Sequence, residues 1–103
     1  MVTCFLRYTV VPRKLEQFQQ YAKWWISLVG RFGGKHHGYF LPSEGTSNIA
    51  LAMFSFTSLA EYESYRVASL QDPECLRAFQ FAEDTGCIVS YERSFFRPVF
   101  DSE

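Results

Sequence analysis

The sequence predicts a single α+β domain of the ferredoxin-like type, with elements in the order βαββαβ and one antiparallel four-stranded sheet. Three observations lead to this prediction. Four segments have the composition of strands, an amphipathic helix follows the first of them, and a second helical region separates the third from the fourth. No linker or low-complexity stretch divides the 103 residues, so residues 1–103 are expected to form one domain.

The first strand is predicted over residues 2–11, where β-branched and aromatic residues dominate. Its two faces differ in character. The apolar face carries Val2, Cys4, Leu6, Tyr8 and Val10. The opposite face is mixed, because it includes Thr3 and Arg7. We therefore expect helices to cover the apolar face and a wetter surface or interface to form on the other.

The first helix is the strongest periodic signal in the chain. Apolar residues recur at spacings of three and four at Leu15, Phe18, Ala22, Trp25, Val29 and Phe32. Pro12, which ends the preceding strand, is tolerated near a helix start because its missing N–H has no intrahelical acceptor. Gly33 and Gly34 are expected to stop the helix, since glycine accepts a left-handed backbone.

Two strands and a broken helix are predicted next. The strands cover residues 35–41 and 49–56, and the nearly continuous apolar run of the second is typical of a central strand buried on both faces. Ser58 then acts as a helix N-cap, and Glu61 completes a capping box. Asp72 and the proline that follows it restart the helix, which a glycine closes at position 86.

The last strand is predicted over residues 87–100, longer than the usual five or six residues of a strand. A strand that extends beyond its own sheet needs another partner for its backbone donors. We therefore expect a second copy of the chain to cover the mixed face, giving a homodimer, with higher oligomers left open. Residues 101–103 are expected to be a solvated tail.

Arg7 and Glu92 are candidates for an ion pair on that dimer face. The first and last strands are antiparallel neighbours in this topology, and pairing Arg7 with Glu92 places Tyr8 opposite Tyr91. A charge pair covered by a partner would fix the register of the interface. The alternative is a pocket-lining pair with a glutamate of raised pKa.

Composition excludes several classes of protein. The net charge is -1 with no basic run, so neither nucleic acid nor an anionic membrane is an expected partner. No segment approaches the roughly 20 apolar residues of a membrane span, and the start of the chain lacks the layout of a signal peptide. The three widely spaced cysteines predict buried thiols in a reducing compartment, so we expect a cytoplasmic protein.

His36 and His37 are the only histidines and the weak candidates for catalysis. Neighbouring residues of a regular strand point to opposite faces, so both cannot line one pocket. In one interpretation, one of them is a general base or a haem-type ligand near a cleft between helix and sheet. In the other, one is exposed at the surface and the other caps the edge of the sheet. The dipeptide alone does not make a metal site, and no metal is expected.

A ligand pocket is predicted between the first helix and the sheet. Its candidate residues are aromatic and partly polar, namely Tyr21, Trp24, Tyr39 and Tyr65. Trp25 is instead expected in the core, because it lies on the apolar stripe of the helix. The sequence contains no nucleophile elbow, zinc-protease motif, P-loop or dinucleotide fingerprint.

Four segments in this order resemble the NIPSNAP family over about residues 3–99: FLRYTVVPRKLEQF, FGGKHHGYF, LAEYESYRVASLQDPE and SYERSFFRP. Two positions depart from the pattern, Cys75 where the family often has Trp and Arg13 in place of a common Gly. The resemblance implies a dimeric α/β barrel in which two ferredoxin-like subunits place their sheets face to face. It implies no catalytic residues.

Two functions therefore stay open. The first is a small homodimeric protein that binds a small apolar or aromatic molecule in the cleft between helices and sheet. The second is a cofactor-independent monooxygenase or isomerase that acts in the same cleft, with His36 or His37 as the base. Neither function requires a cofactor, and the wider superfamily that the resemblance implies includes cofactor-free enzymes of this kind.

Overall fold

The computed structural model describes residues 1–100, and its elements follow the predicted order. A short 3-10 turn (Pro12–Lys14) leads from the first strand into the first helix. The elements are β1 (Val2–Val10), α1 (Leu15–Arg31), β2 (Lys35–Phe40), β3 (Ile49–Phe56), α2 (Leu59–Ser69), α3 (Pro73–Thr85) and β4 (Ile88–Phe96).

The four strands form one antiparallel sheet in the order β2-β3-β1-β4. This is the ferredoxin-like arrangement, so the predicted α+β fold class is confirmed. The two strands at the centre of the sheet, β1 and β3, are those with the most continuous apolar sequence. The edges are β2 and β4.

The register between β1 and β4 agrees with the register inferred from sequence. Arg7 lies opposite Glu92, Tyr8 opposite Tyr91, and Leu6 opposite Arg93. Because side chains alternate along a strand, the odd-numbered residues of β1 lie on one face of the sheet, and this register places Glu92 on the same face as Arg7.

The last strand is shorter than predicted. It ends at Phe96, which lies opposite Thr3, and the following residues up to 100 are not in a strand. The physical reason is that β1 offers β4 no partner beyond its own first residues, and Pro98 has no N–H to donate. The predicted extension of β4 beyond the sheet is therefore wrong, and the tail prediction for residues 101–103 lies outside the described residues.

The caps that divide the second helical region are present as predicted. The Ser58 hydroxyl accepts the N–H of Glu61, and the Asp72 carboxylate accepts the N–H of Cys75. The Asp72 carboxylate also binds the guanidinium of Arg31 at 2.6 Å, which ties the end of α1 to the start of α3.

The two glycines after α1 have different roles. Gly33 has φ +91° and makes the turn, whereas Gly34 has an ordinary φ. A Cβ at Gly34 would lie 2.7 Å from the ring of Phe56 and 2.7 Å from a methyl group of Val29. Gly34 therefore permits the close approach of α1 to the sheet rather than a particular backbone angle.

The helices cover one face of the sheet only. On β1 the residues buried under them are Cys4, Leu6, Tyr8 and Val10, as predicted. We call the opposite face, which carries the odd-numbered residues of β1, the open face. It is uncovered in the single chain. The molecule is correspondingly thin, with a shortest extent of 19 Å. Residues 1–100 include no helix with the length and hydrophobicity needed to cross a membrane.

Candidate functional site

A cavity of about 470 Å³ lies between the helices and the sheet. Its floor is formed by residues of all four strands, and its walls by residues of α1, α2 and α3. Most of the lining residues on β4, among them Val89 and Tyr91, are exposed, so the cavity opens toward this edge of the sheet. The volume is in the range of pockets that hold small organic molecules.

Every tyrosine of the chain lines this cavity, whereas only two of the eleven phenylalanines do. The six residues are Tyr8, Tyr21, Tyr39, Tyr62, Tyr65 and Tyr91. Elsewhere in the core the aromatic positions are filled by phenylalanine. The chain therefore places its phenol hydroxyls around one space, as expected when a polar tip must meet a partner or water.

Local structure brings these rings together. Tyr62 and Tyr65 are three residues apart on α2, and this spacing puts both on the face of the helix that packs against the sheet. Tyr21 and Trp25 are four residues apart on α1, with ring centroids separated by 6.1 Å. Helical periodicity thus supplies two walls, and the strands supply the remaining rings.

Burial keeps four phenols of the cavity neutral. It raises the pKa of Tyr21 to about 12 and moves the pKa values of Tyr8, Tyr39 and Tyr65 further upward. At physiological pH these groups are hydrogen-bond donors and acceptors without charge. They suit recognition of a ligand better than abstraction of a proton from it.

The indole N–H of Trp25 is a buried donor without a hydrogen-bond partner. The side chain is 5% exposed and lines the cavity. The N–H lies near enough to the hydroxyl of Tyr21 to oppose part of the rise in that phenol's pKa, but the geometry is not that of a hydrogen bond. An unpaired buried donor is costly, so this N–H is a position in the cavity wall that lacks an acceptor.

Two arginines complete the lining. Arg66 of α2 donates from Nη1 to the Tyr62 hydroxyl at 2.9 Å. The guanidinium of Arg93, on β4, lies 5.3 Å from the centroid of the Tyr91 ring. Glu83 is the one carboxylate among the lining residues, and it is exposed on α3.

The structure separates the four pocket residues predicted from sequence. Tyr21, Tyr39 and Tyr65 line the cavity, although their contact with a ligand stays a prediction. Trp24 does not line it. This side chain is 39% exposed and packs edge-to-face on Phe81 of α3, with ring centroids 4.8 Å apart. One residue along a helix is a rotation of about 100°, so Trp24 turns away from the face that Trp25 presents.

His36 is on the helix-covered face of the sheet but does not line the cavity. Its ring stacks between Tyr39 and Phe54, and its Nδ1 accepts the N–H of Gly38 at 2.9 Å. Burial, aided by the nearby charge of His37, lowers the pKa of His36 to about 4. The imidazole is therefore neutral at physiological pH, and its buried Nε2 has no partner.

His37 lies on the open face and also does not line the cavity. Its Nε2 is 2.7 Å from the Ser55 hydroxyl, which is in turn 2.7 Å from the hydroxyl of Thr3. A β-bulge at His37, between the pairs made by His36 and Gly38, interrupts the alternation of β2. The two histidines thus occupy opposite faces, as the sequence predicts for neighbours on a strand.

Arg7 and Glu92 lie side by side on the open face and are not among the residues that line the cavity. Within residues 1–100 they do not form a salt bridge, since the ion pairs found there join Arg31 to Asp72 and to Glu74. Their pairing across a dimer interface stays a prediction.

Several residues of the cavity were not predicted. Tyr8 and Tyr91 were placed on the apolar face of the sheet without being assigned to a pocket, and Arg66 and Arg93 were not identified as lining residues. One signal in the sequence was available. Tyr62, Tyr65 and Arg66 fall on one side of α2 at spacings of three and four, which marks a polar strip on a face that packs inward.

The three cysteines are buried and free, as predicted. Burial raises the pKa of Cys4 to about 11 and that of Cys75 to about 11, so both are thiols and poor nucleophiles at physiological pH. Among the described residues, no group of three or more His, Cys, Asp and Glu side chains is arranged to hold a metal ion.

Comparisons with known proteins give a consistent family and fold. The NIPSNAP family model matches residues 4–103. A NIPSNAP family protein of unknown function from Agrobacterium tumefaciens superposes with a TM-score of 0.81 at 20% identity, over 95% of this chain and 87% of that one. An uncharacterized NIPSNAP-like domain protein from Burkholderia xenovorans does so with 0.80 at 18% identity, over 99% and 88%.

A more distant likeness is to a putative antibiotic biosynthesis monooxygenase from Nitrosomonas europaea. The TM-score is 0.72 at 11% identity, over 97% of this chain and 100% of that chain, which shows a shared fold. No curated protein matches the sequence. Because the family model covers almost the entire chain, the protein belongs to the NIPSNAP family.

Proposed function

We propose that this protein binds a small aromatic molecule in the cavity between its helices and its sheet. The observation that carries the proposal is that all six tyrosines line this one space, which only two of the eleven phenylalanines reach. A core built for packing alone gains little from hydroxyl groups, because each must be hydrogen-bonded when it is buried. Tyrosines gathered at a cavity instead offer flat apolar walls with polar tips.

The walls suit a flat ring. Aromatic side chains pair with an aromatic ligand through offset stacking or edge-to-face contacts, each worth about 0.5–1.5 kcal/mol beyond the area buried. The neutral phenols and the unpaired N–H of Trp25 supply directional contacts at the rim of such a ring. A ligand with both an aromatic surface and a hydrogen-bond acceptor uses every part of this lining.

The protein acts as a homodimer in this proposal, with the open faces of two copies packed together. That face carries large apolar side chains, and Phe40 and Phe96 on its two edge strands are 49% and 56% exposed. The other apolar residues of the face are Phe5, Ile49, Leu51 and Met53. A contiguous apolar surface on a small protein favours a protein interface over free contact with water.

A second copy is the partner that this face fits. Arg7 and Glu92 lie side by side on it, so a two-fold related copy can place each of these charges against its opposite. Two sheets packed in this way lie about 10 Å apart. Burial between the sheets would also cover the hydrogen bonds that link the Thr3 hydroxyl to the Ser55 hydroxyl and the Ser55 hydroxyl to the ring of His37.

Two neighbouring tryptophans provide the test of ligand binding. A library of small aromatic compounds is screened by thermal shift, and each hit is titrated against Trp25→Phe and against Trp24→Phe. Trp25→Phe removes a donor from the cavity and should weaken binding by about fivefold to tenfold. Trp24→Phe makes the same chemical change outside the cavity and should leave the affinity unchanged.

Two results would contradict the proposal. One is a screen in which no aromatic compound raises the melting temperature of the wild-type protein. The other is an equal loss of affinity in both variants, which would place the ligand elsewhere.

The alternative function is a cofactor-independent monooxygenase or isomerase. The supporting observation is the shared fold with a putative antibiotic biosynthesis monooxygenase. Its difficulty is the base. His36 and His37 both lie outside the cavity lining, and burial raises the pKa values of the lining phenols Tyr21 and Tyr65. Turnover of a bound aromatic compound that His36→Ala or His37→Ala abolishes, with binding retained, would favour the enzyme.

A further inference from the structure

We infer that the ligand of this cavity is an aromatic acid, whose carboxylate is held by Arg66 and Arg93 while its ring lies among the tyrosines. The inference rests on the proposed function and adds the chemical class of the ligand. It starts from the charge of the lining, which the proposal of an aromatic ligand does not use.

The lining is positive although the protein is not. Two guanidinium groups face the cavity against one carboxylate, Glu83, which leaves an excess of one positive charge. The whole chain has a net charge of -1. Positive charge gathered at a cavity of an acidic protein favours an anionic occupant, since a partly desolvated cation is stabilised by a nearby anion.

The two guanidiniums act on the same end of the cavity. Arg66 comes from a helix and Arg93 from the edge strand, so they approach from different walls. Arg66 donates to the hydroxyl of Tyr62, and the ring of Tyr62 packs on Phe95 with centroids 4.8 Å apart. Phe95 is two residues from Arg93 on β4, so the side chains of Phe95 and Arg93 are neighbours on one face of the strand. An anion at this end would therefore interact with both arginines at once.

These arginines are not neutralised by the described part of the chain. Within residues 1–100 neither Arg66 nor Arg93 has a carboxylate oxygen within salt-bridge distance, since the ion pairs found there belong to Arg31. Arg66 uses one N–H on the hydroxyl of Tyr62 and keeps other donors of its fork. A planar carboxylate matches the paired donors of a guanidinium in geometry as well as in charge.

The Trp25 N–H is an independent sign of a missing acceptor. It is a cavity-lining donor on a side chain that is 5% exposed, and it has no hydrogen-bond partner. The lining thus offers donors at the two arginines and at the indole, and the phenols between them are neutral. A molecule rich in acceptors at its edge and apolar across its ring faces satisfies this set.

Two probes of the same shape separate the contribution of the negative charge to binding from the contribution of the aromatic ring. Isothermal titration calorimetry compares 2-naphthoate with 2-naphthamide, which differ in charge and share the aromatic body. Each is titrated into the wild type, Arg93→Met, Arg66→Met and Arg77→Met. Arg77 is exposed on α3 outside the cavity, so its substitution removes the same charge from the protein as a matched control.

We expect wild type and Arg77→Met to bind naphthoate at least about tenfold more tightly than naphthamide. Arg93→Met should lower this ratio to about one while naphthamide binds as before, which also shows that the cavity is intact. Equal affinity of the wild type for both probes would overturn the inference and leave the proposed function standing. Binding of neither probe would also overturn the inference, and the aromatic library then decides whether the proposed function stands. A preference that survives in both cavity variants would overturn the role of the arginines.

Discussion

Tyr8 and Tyr91 lie directly opposite each other on β1 and β4, with ring centroids 5.9 Å apart, yet Tyr8 is 5% exposed and Tyr91 is 50% exposed. The pair spans the distance from the core to the mouth of the cavity. An aromatic surface therefore runs without interruption from solvent to the interior, and a flat molecule could enter along it.

The buried phenols should resist ionisation at alkaline pH. Free tyrosine ionises near about pH 10, whereas burial moves the pKa values of Tyr8, Tyr21, Tyr39, Tyr62 and Tyr65 upward. Since the unfolded chain then releases protons that the folded chain keeps, stability should be complete below this pH and fall as the pH rises above it.

Ultraviolet absorbance of tyrosinate measures the ionisation of the phenols directly. The native protein should hold fewer tyrosinates just above about pH 10 than the same protein in concentrated guanidinium chloride. Circular dichroism at each pH shows whether the fold persists. Coincident titration curves for folded and unfolded protein would mean that the hydroxyls are solvated.

Gly34→Ala and Gly30→Ala should change stability in opposite directions. A Cβ at Gly34 would collide with Phe56 and Val29, so we expect a loss of about 1–3 kcal/mol. Gly30 is in α1 with nothing within 4 Å of a new Cβ, and alanine there should stabilise by up to about 1 kcal/mol. Urea denaturation gives both values, and a neutral Gly34→Ala would contradict the close approach of α1 to the sheet.

Acid should destabilise the fold through His36. Its pKa is about 4 in the folded protein and about 6.5 when unfolded. The stability tied to the neutral ring is therefore complete above about pH 6.5 and is lost as the pH falls toward about 4. Solvent reaches part of the ring, so we expect a discounted effect of about 1–2 kcal/mol.

The comparison is between wild type and His36→Phe, which keeps an aromatic ring between Tyr39 and Phe54. Carboxylates also titrate in this range, so the informative quantity is the difference between the two proteins in their loss of stability from neutral to acid pH. The variant should lose less. An equal loss in both would show that His36 is not the group responsible.

Arg7→Ala should weaken the proposed homodimer. The substitution removes the only charge that β1 places on the open face and leaves Glu92 opposite an alanine. We expect the dissociation constant to rise by about tenfold, measured by sedimentation velocity over a range of concentrations. Arg13→Ala removes the same charge from the 3-10 turn and serves as the control. Unchanged association in Arg7→Ala would exclude the ion pair.

Local signals account for much of what the sequence predicts correctly. The apolar stripe through Trp25 placed α1, and the side chains of Ser58 and Asp72 marked the starts of α2 and α3. The register of Arg7 with Glu92 followed from topology alone. Each of these depends on residues that are close in sequence or on one rule of strand order.

The cavity depends on contacts between distant residues, and there the prediction was partial. Trp24 and Trp25 have the same chemistry, and only the rotation of α1 decides which one lines the space. The end of β4 was misplaced because strand length is set by the partner strand, not by the apolar residues up to Phe100. Arg93 lines the cavity because its strand lies beside another strand of the floor, and composition does not show which strands are neighbours.

The bulge at His37 has a consequence for how the cavity could change in evolution. With this extra residue, His36 and Tyr39 share the helix-covered face of the sheet. Deleting His37 would remove the bulge and leave His36 opposite Phe54 and Tyr39 opposite Ala52, so Tyr39 would keep its place on the helix-covered face. The pocket would thus keep its phenol after the loss of a single codon at this point of the edge strand, because the ladder between β2 and β3 already skips one residue there.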